Sequence, residues 1–209
     1  MYARVTAFKT DPAKIDQGVT SFKEKAVPLA QAAPGYAGTA LMVDRETGEG
    51  GGVTYWNTVA DMNAAEQVGQ RARRESSEAI GAEVTDVDRF EIVLVDRVSG
   101  QPTAPVFARV NQLYANPDRI DEGIAFLRNK VVPNLSKQKG YRSLVMGVNR
   151  MTGRCFVTSG WETAEDRAAS EAAVVGQRQE AATIAGARDV DVMLLEVAFI
   201  ELKQPTPAS

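Results

Sequence analysis

Histidine is absent from all 209 residues, and no other fact about the sequence removes as much chemistry. Without an imidazole there is no Ser-His-Asp or Cys-His nucleophile system, no His-ligated zinc and no haem held by a proximal His. Cysteine is nearly absent as well. Cys155 stands alone, cannot close a disulfide within the chain, and fits a reducing cytoplasm. Its setting, Arg154-Cys155-Phe156-Val157, reads as a strand, which makes it a buried, inert thiol. No apolar run approaches the ~20 residues that cross a bilayer. The opening residues read as a strand rather than as a signal peptide, so a cytoplasmic protein with no membrane partner is expected. Cations are in deficit. A net charge of -3 leaves no basic stripe for nucleic acid. The one dense basic run, Arg71, Arg73 and Arg74, stands beside Glu75 and Glu78 and reads as a solvated helix face with i,i+4 pairs. Metal-ligand spacings, phosphate-cradling glycine loops and dinucleotide fingerprints are also missing, since Gly50-Gly51-Gly52 lies in a hairpin rather than before a helix.

What the sequence does contain is one pattern written twice. Ala3-Arg4-Val5 recurs 105 positions later as Ala108-Arg109-Val110, and Ile15-Asp16 as Ile120-Asp121. Gly35-Tyr36 returns as Gly140-Tyr141, Thr47-Gly48 as Thr152-Gly153, Trp56 as Trp161, and Glu91 as Glu196. A constant offset over two units of ~100 residues marks a tandem duplication. The joint is Ser99-Gly100-Gln101-Pro102-Thr103-Ala104-Pro105, rich in Pro, Gly and small polar residues and free of apolar periodicity. The expected organisation is a first repeat over 1–98, a linker over 99–105, a second repeat over 106–203 and a disordered polar tail over 204–209.

Each repeat reads βαββαβ. Tyr2 to Lys9 alternates as a strand. Asp11-Pro12 opens a helix, and Ile15, Val19, Phe22 and Ala26 share its buried face. Pro28 should kink or end that helix. Strands follow over Tyr36 to Arg45 and Val53 to Asn57, around a glycine-rich hairpin turn. Thr58 caps the second helix, with Asp61 three positions on. Val87 to Asp96 is the fourth strand. From Phe107 the order repeats: Ile120, Ile124, Leu127 and Val131 form the helical face, Thr163 caps, and Val190 to Leu202 closes the unit. Helices cover one face of such a sheet, yet the strands are apolar on both. The fold class is therefore α+β: two tandem ferredoxin-like repeats packed sheet to sheet, each the other's cover.

In this order of elements, in the Thr-Gly hairpin, and in Tyr55-Trp56-Asn57-Thr58-Val59-Ala60-Asp61 with its echo Gly160-Trp161-Glu162-Thr163-Ala164-Glu165-Asp166, the chain resembles the dimeric α/β-barrel superfamily. Within that superfamily it resembles the antibiotic-biosynthesis-monooxygenase-like (ABM) domains. The resemblance implies an intramolecular dimeric α/β barrel with a pocket between sheet and helices. It also implies two functional residues, an Asn on the first strand and a Trp ending the third. Those positions are Asn111 and Trp161 in the second repeat, with Thr6 and Trp56 in the first. Haem-degrading members use a His on the second helix, which this chain lacks, so no cofactor is expected.

Asn111 is out of place in a strand and shares its face with Phe107, Arg109 and Leu113. It either satisfies neighbouring backbone or meets a ligand, to which it could donate a hydrogen bond. Trp56 and Trp161 are core residues or pocket walls. Arg4 and Arg109 occupy one place in both repeats, as do Glu91 and Glu196, so cross-strand Arg–Glu pairs are expected, with binding of an acidic substrate as the other reading. Two functions follow from the resemblance and these residues together. One is a cofactor-independent monooxygenase acting on a small aromatic or polyketide-like molecule in the second repeat, with Asn111 and Trp161 catalytic and Arg109, Trp56 and Arg4 binding substrate. The other is a non-catalytic protein that binds a small apolar ligand or builds an assembly, a homo-oligomer included.

Overall fold

The computed structural model describes residues 1–98 and 106–203; the expected linker, 99–105, and the tail, 204–209, lie outside the described residues. The first repeat forms β1 (Tyr2–Lys9), α1 (Ile15–Ser21), α2 (Val27–Gln31), β2 (Tyr36–Val43), β3 (Glu49–Trp56), α3 (Val59–Ala64), α4 (Glu66–Ile80) and β4 (Glu83–Arg97). The second forms β5 (Phe107–Tyr114), α5 (Ile120–Phe126), α6 (Val132–Leu135), β6 (Tyr141–Val148), β7 (Arg154–Trp161), α7 (Ala164–Ala169), α8 (Glu171–Ile184) and β8 (Arg188–Leu202). The strands hydrogen-bond in the order β1-β3-β2-β8-β5-β7-β6-β4, which closes as an eight-stranded barrel. This is the α+β class read from the alternating pattern. Among the described residues, no helix is long and apolar enough to cross a membrane.

Local chemistry explains the element boundaries. The Asp11 carboxylate accepts the Ala13 N–H at 2.9 Å and starts a 3-10 turn, Pro12–Lys14, that leads into α1. Of the two outcomes expected at Pro28, a kink or an end, the helix does not end but is disturbed locally. Phe22–Ala26 widen into a π turn, the Val27 N–H donates to the Phe22 carbonyl, and helical structure runs on through Pro28 to Gln31. A proline lacks an N–H and its ring crowds the carbonyl four residues back, so a wider turn gives that carbonyl room. The second repeat repeats the device over Leu127–Val131, ahead of Pro133. At α3, Thr58 Oγ1 accepts the Asp61 N–H and the Asp61 carboxylate accepts the Thr58 N–H, both at 3.1 Å, a complete capping box. Gly48 and Gly153 both hold φ near +76°, where an added Cβ would strike the Thr10 or the Ala115 carbonyl oxygen at about 2 Å. Only glycine fits these turns.

Packing divides the chain into two compact units, one of Met1–Phe90 with the chain from Glu196 on, the other of Glu91–Leu195. Strands β4 and β8 therefore contribute to both. In the first unit, β2 pairs with the end of β8, from Val43 opposite Glu196 to Gly38 opposite Leu202. In the second, β6 pairs with the end of β4, from Val148 opposite Glu91 to Ser143 opposite Arg97. The second unit has one continuous core, in which Ile120, Ile124, Leu127, Leu144 and Trp161 are buried together. The first unit has two smaller clusters, one around Tyr36, Trp56 and Met62, the other around Ile15, Leu41 and Val43.

Candidate functional site

Each unit holds a cavity between its sheet and its helices. The one in the second unit measures about 90 Å³. Residues of alternate position on β5 face it, because side chains two apart on a strand share a face: Arg109, Asn111 and Leu113. Leu127 and Leu135 from the first helical stretch, and Val174, Gln177 and Arg178 from α8, complete its walls. The cavity of the first unit measures about 130 Å³ and is lined by Arg4, Thr6 and Phe8 of β1 and by Gly69 and Arg73 of α4. It lies between the two core clusters of that unit, with Trp56 and Ala65 from one and Ile15, Leu41 and Val43 from the other on its walls. Among the described residues, no Asp or Glu lines either cavity.

Asn111 spends one amide N–H on the carbonyl of Val157, its cross-strand neighbour, at 3.2 Å. Its Oδ1 is buried and has no partner. A buried carbonyl oxygen left unpaired costs about 1–3 kcal/mol, so this wall of the cavity is set to accept a hydrogen bond. The expectation from sequence was a donor; the free end of the amide is its acceptor.

The two arginines are buried, at 2% exposure for Arg4 and 3% for Arg109. Their carboxylate partners are not the expected ones. Arg4 pairs with Glu66 at 2.8 Å and Arg109 with Glu171 at 3.1 Å, both glutamates opening the helix that covers the strand. Glu91 instead meets Arg150 at 3.2 Å and Glu196 meets Arg45 at 2.7 Å. The physical reason lies in the faces of the strands: Arg4 and Arg109 point into the sheet–helix layer, where the first turns of α4 and α8 offer carboxylates. Sequence reasoning missed Glu66, Glu171, Arg73 and Arg178. All four obey the same 105-residue offset, which was the signal available. Arg73 also departs from the solvated-face reading: Arg71 makes the expected i,i+4 pair with Glu75, but Arg73 turns to Glu66 at 2.9 Å and lines the cavity.

Burial, first, and the neighbouring guanidinium groups hold Arg4 and Arg109 below the ordinary arginine value, against the pull of Glu66 and Glu171. An arginine stays charged regardless. In the second unit Glu171 serves both Arg109 and Arg178, while Arg167 donates to the Ala108 and Leu195 carbonyls at 2.9 and 3.0 Å. Positive charge is therefore in excess beside an apolar cavity.

Trp56 and Trp161 are buried at 2% and 0% exposure. Their indole N–H groups donate to Thr54 Oγ1 at 3.1 Å and Ser159 Oγ at 3.0 Å. Each ring meets a tyrosine edge-on, Tyr36 at 6.1 Å and Tyr141 at 5.8 Å, and lies about 6 Å from the guanidinium of Arg4 or Arg109. Trp56 lines its cavity directly. Trp161 reaches its own through Arg109 and Ser159, both of which line it. The five predicted residues thus fall into two groups, Arg4 with Trp56 and Arg109 with Asn111 and Trp161.

A haem in either cavity would need an axial ligand from the residues present. Cys155 lines the second cavity, but burial pushes its thiol up to about 11, although the Ala115 backbone and Arg150 pull the other way. It also points at the Gly153 carbonyl at 3.4 Å. A neutral thiol is neither nucleophile nor ligand at pH 7. With no His in the chain, these residues do not fit haem. Among the described residues, no three His, Cys, Asp or Glu side chains come together to hold a metal ion.

No protein-family profile matches the chain. An uncharacterised Mycobacterium tuberculosis protein is 24% identical over 209 residues, covering 98% of this chain and 91% of its own. A candidate monooxygenase from Fusobacterium nucleatum superposes with a TM-score of 0.71 at 13% identity, covering 97% of this chain and 94% of its own. An anthrone oxidase-like protein gives 0.67 at 15% identity, with 96% and 92% covered. A haem-degrading enzyme from Listeria monocytogenes gives 0.51 at 9%, with 92% and 98% covered. At such identities the likeness is one of fold. Strand order, helix placement and these neighbours agree that the chain has the dimeric α/β-barrel fold of the ABM-like proteins.

Proposed function

We propose that the second-unit cavity is the site of a cofactor-independent monooxygenase acting on a small, acidic hydroxy-aromatic molecule. The observation that carries this reading is the buried, unpartnered Oδ1 of Asn111 beside Arg109 on an apolar wall. That oxygen accepts a hydrogen bond from a substrate hydroxyl and fixes the ring. The excess positive charge of Arg109, Arg178 and Arg167 over Glu171 stabilises the anion that forms when the substrate loses a proton. Since no lining residue can serve as base, the substrate has to be acidic in its own right.

The electron-rich anion is then the reductant. It passes electrons to O2, a carbon–oxygen bond forms, and the hydroperoxide loses water. In balance, the ring CH2 of the substrate's keto tautomer and O2 give C=O and H2O. Trp161 holds Arg109 from behind as a positioning residue. A cavity of about 90 Å³ is smaller than the ~150 Å³ that encloses a benzene ring, so the reacting edge of the ring is enclosed and the remainder lies outside.

The absence of a lining base among the described residues favours a second reading, in which the same cavity binds such a molecule without turning it over. Oxygen uptake separates the two. With a panel of single-ring hydroxy-aromatics in metal-chelated buffer, the enzyme reading expects O2 consumption and incorporation of one labelled oxygen. Asn111→Ala should lower kcat/KM by about tenfold to a hundredfold. Binding without O2 uptake would leave the second reading, and full turnover by Asn111→Ala would remove the role given to the amide.

A further inference from the structure

We propose that the first-unit cavity is a separate binding site for a small apolar carboxylate, of the size of a single-ring aromatic acid. Three observations converge on it. The first is charge. Arg4, Arg73 and Arg89 all pair with one carboxylate, that of Glu66, at 2.8, 2.9 and 2.7 Å. Three cations share this carboxylate; Arg4 is sealed from water, Arg73 is largely buried and Arg89 is half exposed, so Arg4 and Arg73 carry the burden inside the cavity wall. Charge left unbalanced in a dry site is costly, and an anion entering the cavity relieves it. The second is hydrogen bonding. Arg4 donates through one terminal nitrogen to the Met62 carbonyl and to Glu66, while its Nε is buried without a partner.

The third is space. A Cβ added at Gly69 would lie 2.7 Å from Nη1 of Arg4 and 3.2 Å from Nη1 of Arg73. Only a residue without a Cβ lets two guanidinium groups converge against α4 at this point, and both arginines line the cavity. A carboxylate is flat, two-pronged and matched to such donors. The second unit has Val174 at the corresponding position, so a side chain stands there instead of two converging guanidinium groups.

The rest of the pocket suits an apolar body. Gly52, Ala26 and Ala30 stand where the second unit has Val157, Val131 and Leu135, and the cavity is larger for it, about 130 against 90 Å³. That volume is close to the ~150 Å³ known to hold one benzene ring. Thr6 replaces Asn111, so the amide on which the oxygenase reading depends has no counterpart here. The duplication has left two pockets with different chemistry.

The test uses benzoate and its neutral analogue benzamide, titrated calorimetrically into the full chain. One benzoate per chain is expected, bound at least about tenfold more tightly than benzamide, because the charge-assisted contact is lost in the amide. Gly69→Ala, whose methyl group would displace both guanidinium groups, and Arg73→Met, which removes one converging donor but keeps the Arg4–Glu66 pair, should each weaken benzoate by about tenfold or more. Asn111→Leu should leave it unchanged. Circular dichroism checks that each variant is folded, and Arg73→Met carries the test if Gly69→Ala is not. Equal affinity for benzoate and benzamide, retention of affinity in the folded variants, or its loss in Asn111→Leu would each overturn the proposal. Oxygen uptake does not enter the measurement, so this result and that of the second unit stand or fall separately.

Discussion

A guanidinium withdrawn from water needs its charge answered nearby, and Glu66 answers for Arg4 while also pairing with Arg73 and the half-exposed Arg89. Burial alone would raise the Glu66 carboxyl, yet hydrogen bonds from Arg89 and Arg73 and the charge of Arg4 hold it below the ordinary glutamate value. A depressed carboxylate stabilises the fold above its unfolded pKa, and that contribution is lost as the pH falls through the folded value. Glu66→Gln should therefore cost about 2–3 kcal/mol near neutrality, less than a fully buried pair because Glu66 is partly exposed. In urea titrations it should also flatten the acid limb of the stability profile.

Cys155 works in the opposite direction. Its thiol is raised from 9.0 to about 11, so its contribution is full below pH 9 and is lost as the pH rises through the folded value. The decline is worth about 2–3 kcal/mol. Cys155→Ala should abolish that share of the alkaline decline, and a thiol reagent at pH 8 should label the native chain far more slowly than the unfolded one.

At this scale the sequence marked Arg4, Arg109 and Asn111 through the offset and the odd placement of an amide in a strand. It could not say which face Arg4 points to, and so Glu91 was matched to it in place of Glu66. Periodicity assigns residues to faces of a strand but not the element that covers each face.

Elements were more legible than their ends. Both helical apolar faces, both capping threonines and all eight strands stand where alternation and turn chemistry put them. β3 starts at Glu49 rather than Val53, because its glycines read as turn. They are in fact strand positions, and Gly50 is pressed against its neighbour, with Phe8 only 2.5 Å from a Cβ placed there. β4 begins at Glu83 rather than Val87, since a polar strand end carries little apolar signal. The π turns were not legible at all: proline announces a disturbance, not whether the helix breaks or widens. The capping box of α3 sets a plain expectation. Thr58→Ala should lower stability by about 1 kcal/mol, read as a shift in the urea midpoint with an unchanged m-value.

For the whole molecule, the duplication announced the architecture, because a constant offset survives divergence that erases individual motifs. The offset does not say which segment completes which sheet. In the first unit, β2 is bordered by Glu196–Leu202, residues that the second repeat encodes. A fragment of residues 1–98 therefore lacks the strand that borders β2, while its own Glu91–Arg97 lacks β6. Two copies can supply each other's missing strand, since these stretches correspond across the repeats. Light scattering should find that fragment as a dimer; a folded, cooperative monomer would count against this account.

The shared strands also decide where hybrids between related chains can be joined. A crossover in the Pro- and Gly-rich joint, the obvious choice from the gene, gives each parent's half a sheet edge shaped by the other parent. Exchanging a whole unit intact takes two crossovers, one after Phe90 and one after Leu195, and the donor then brings the strand that borders its own sheet.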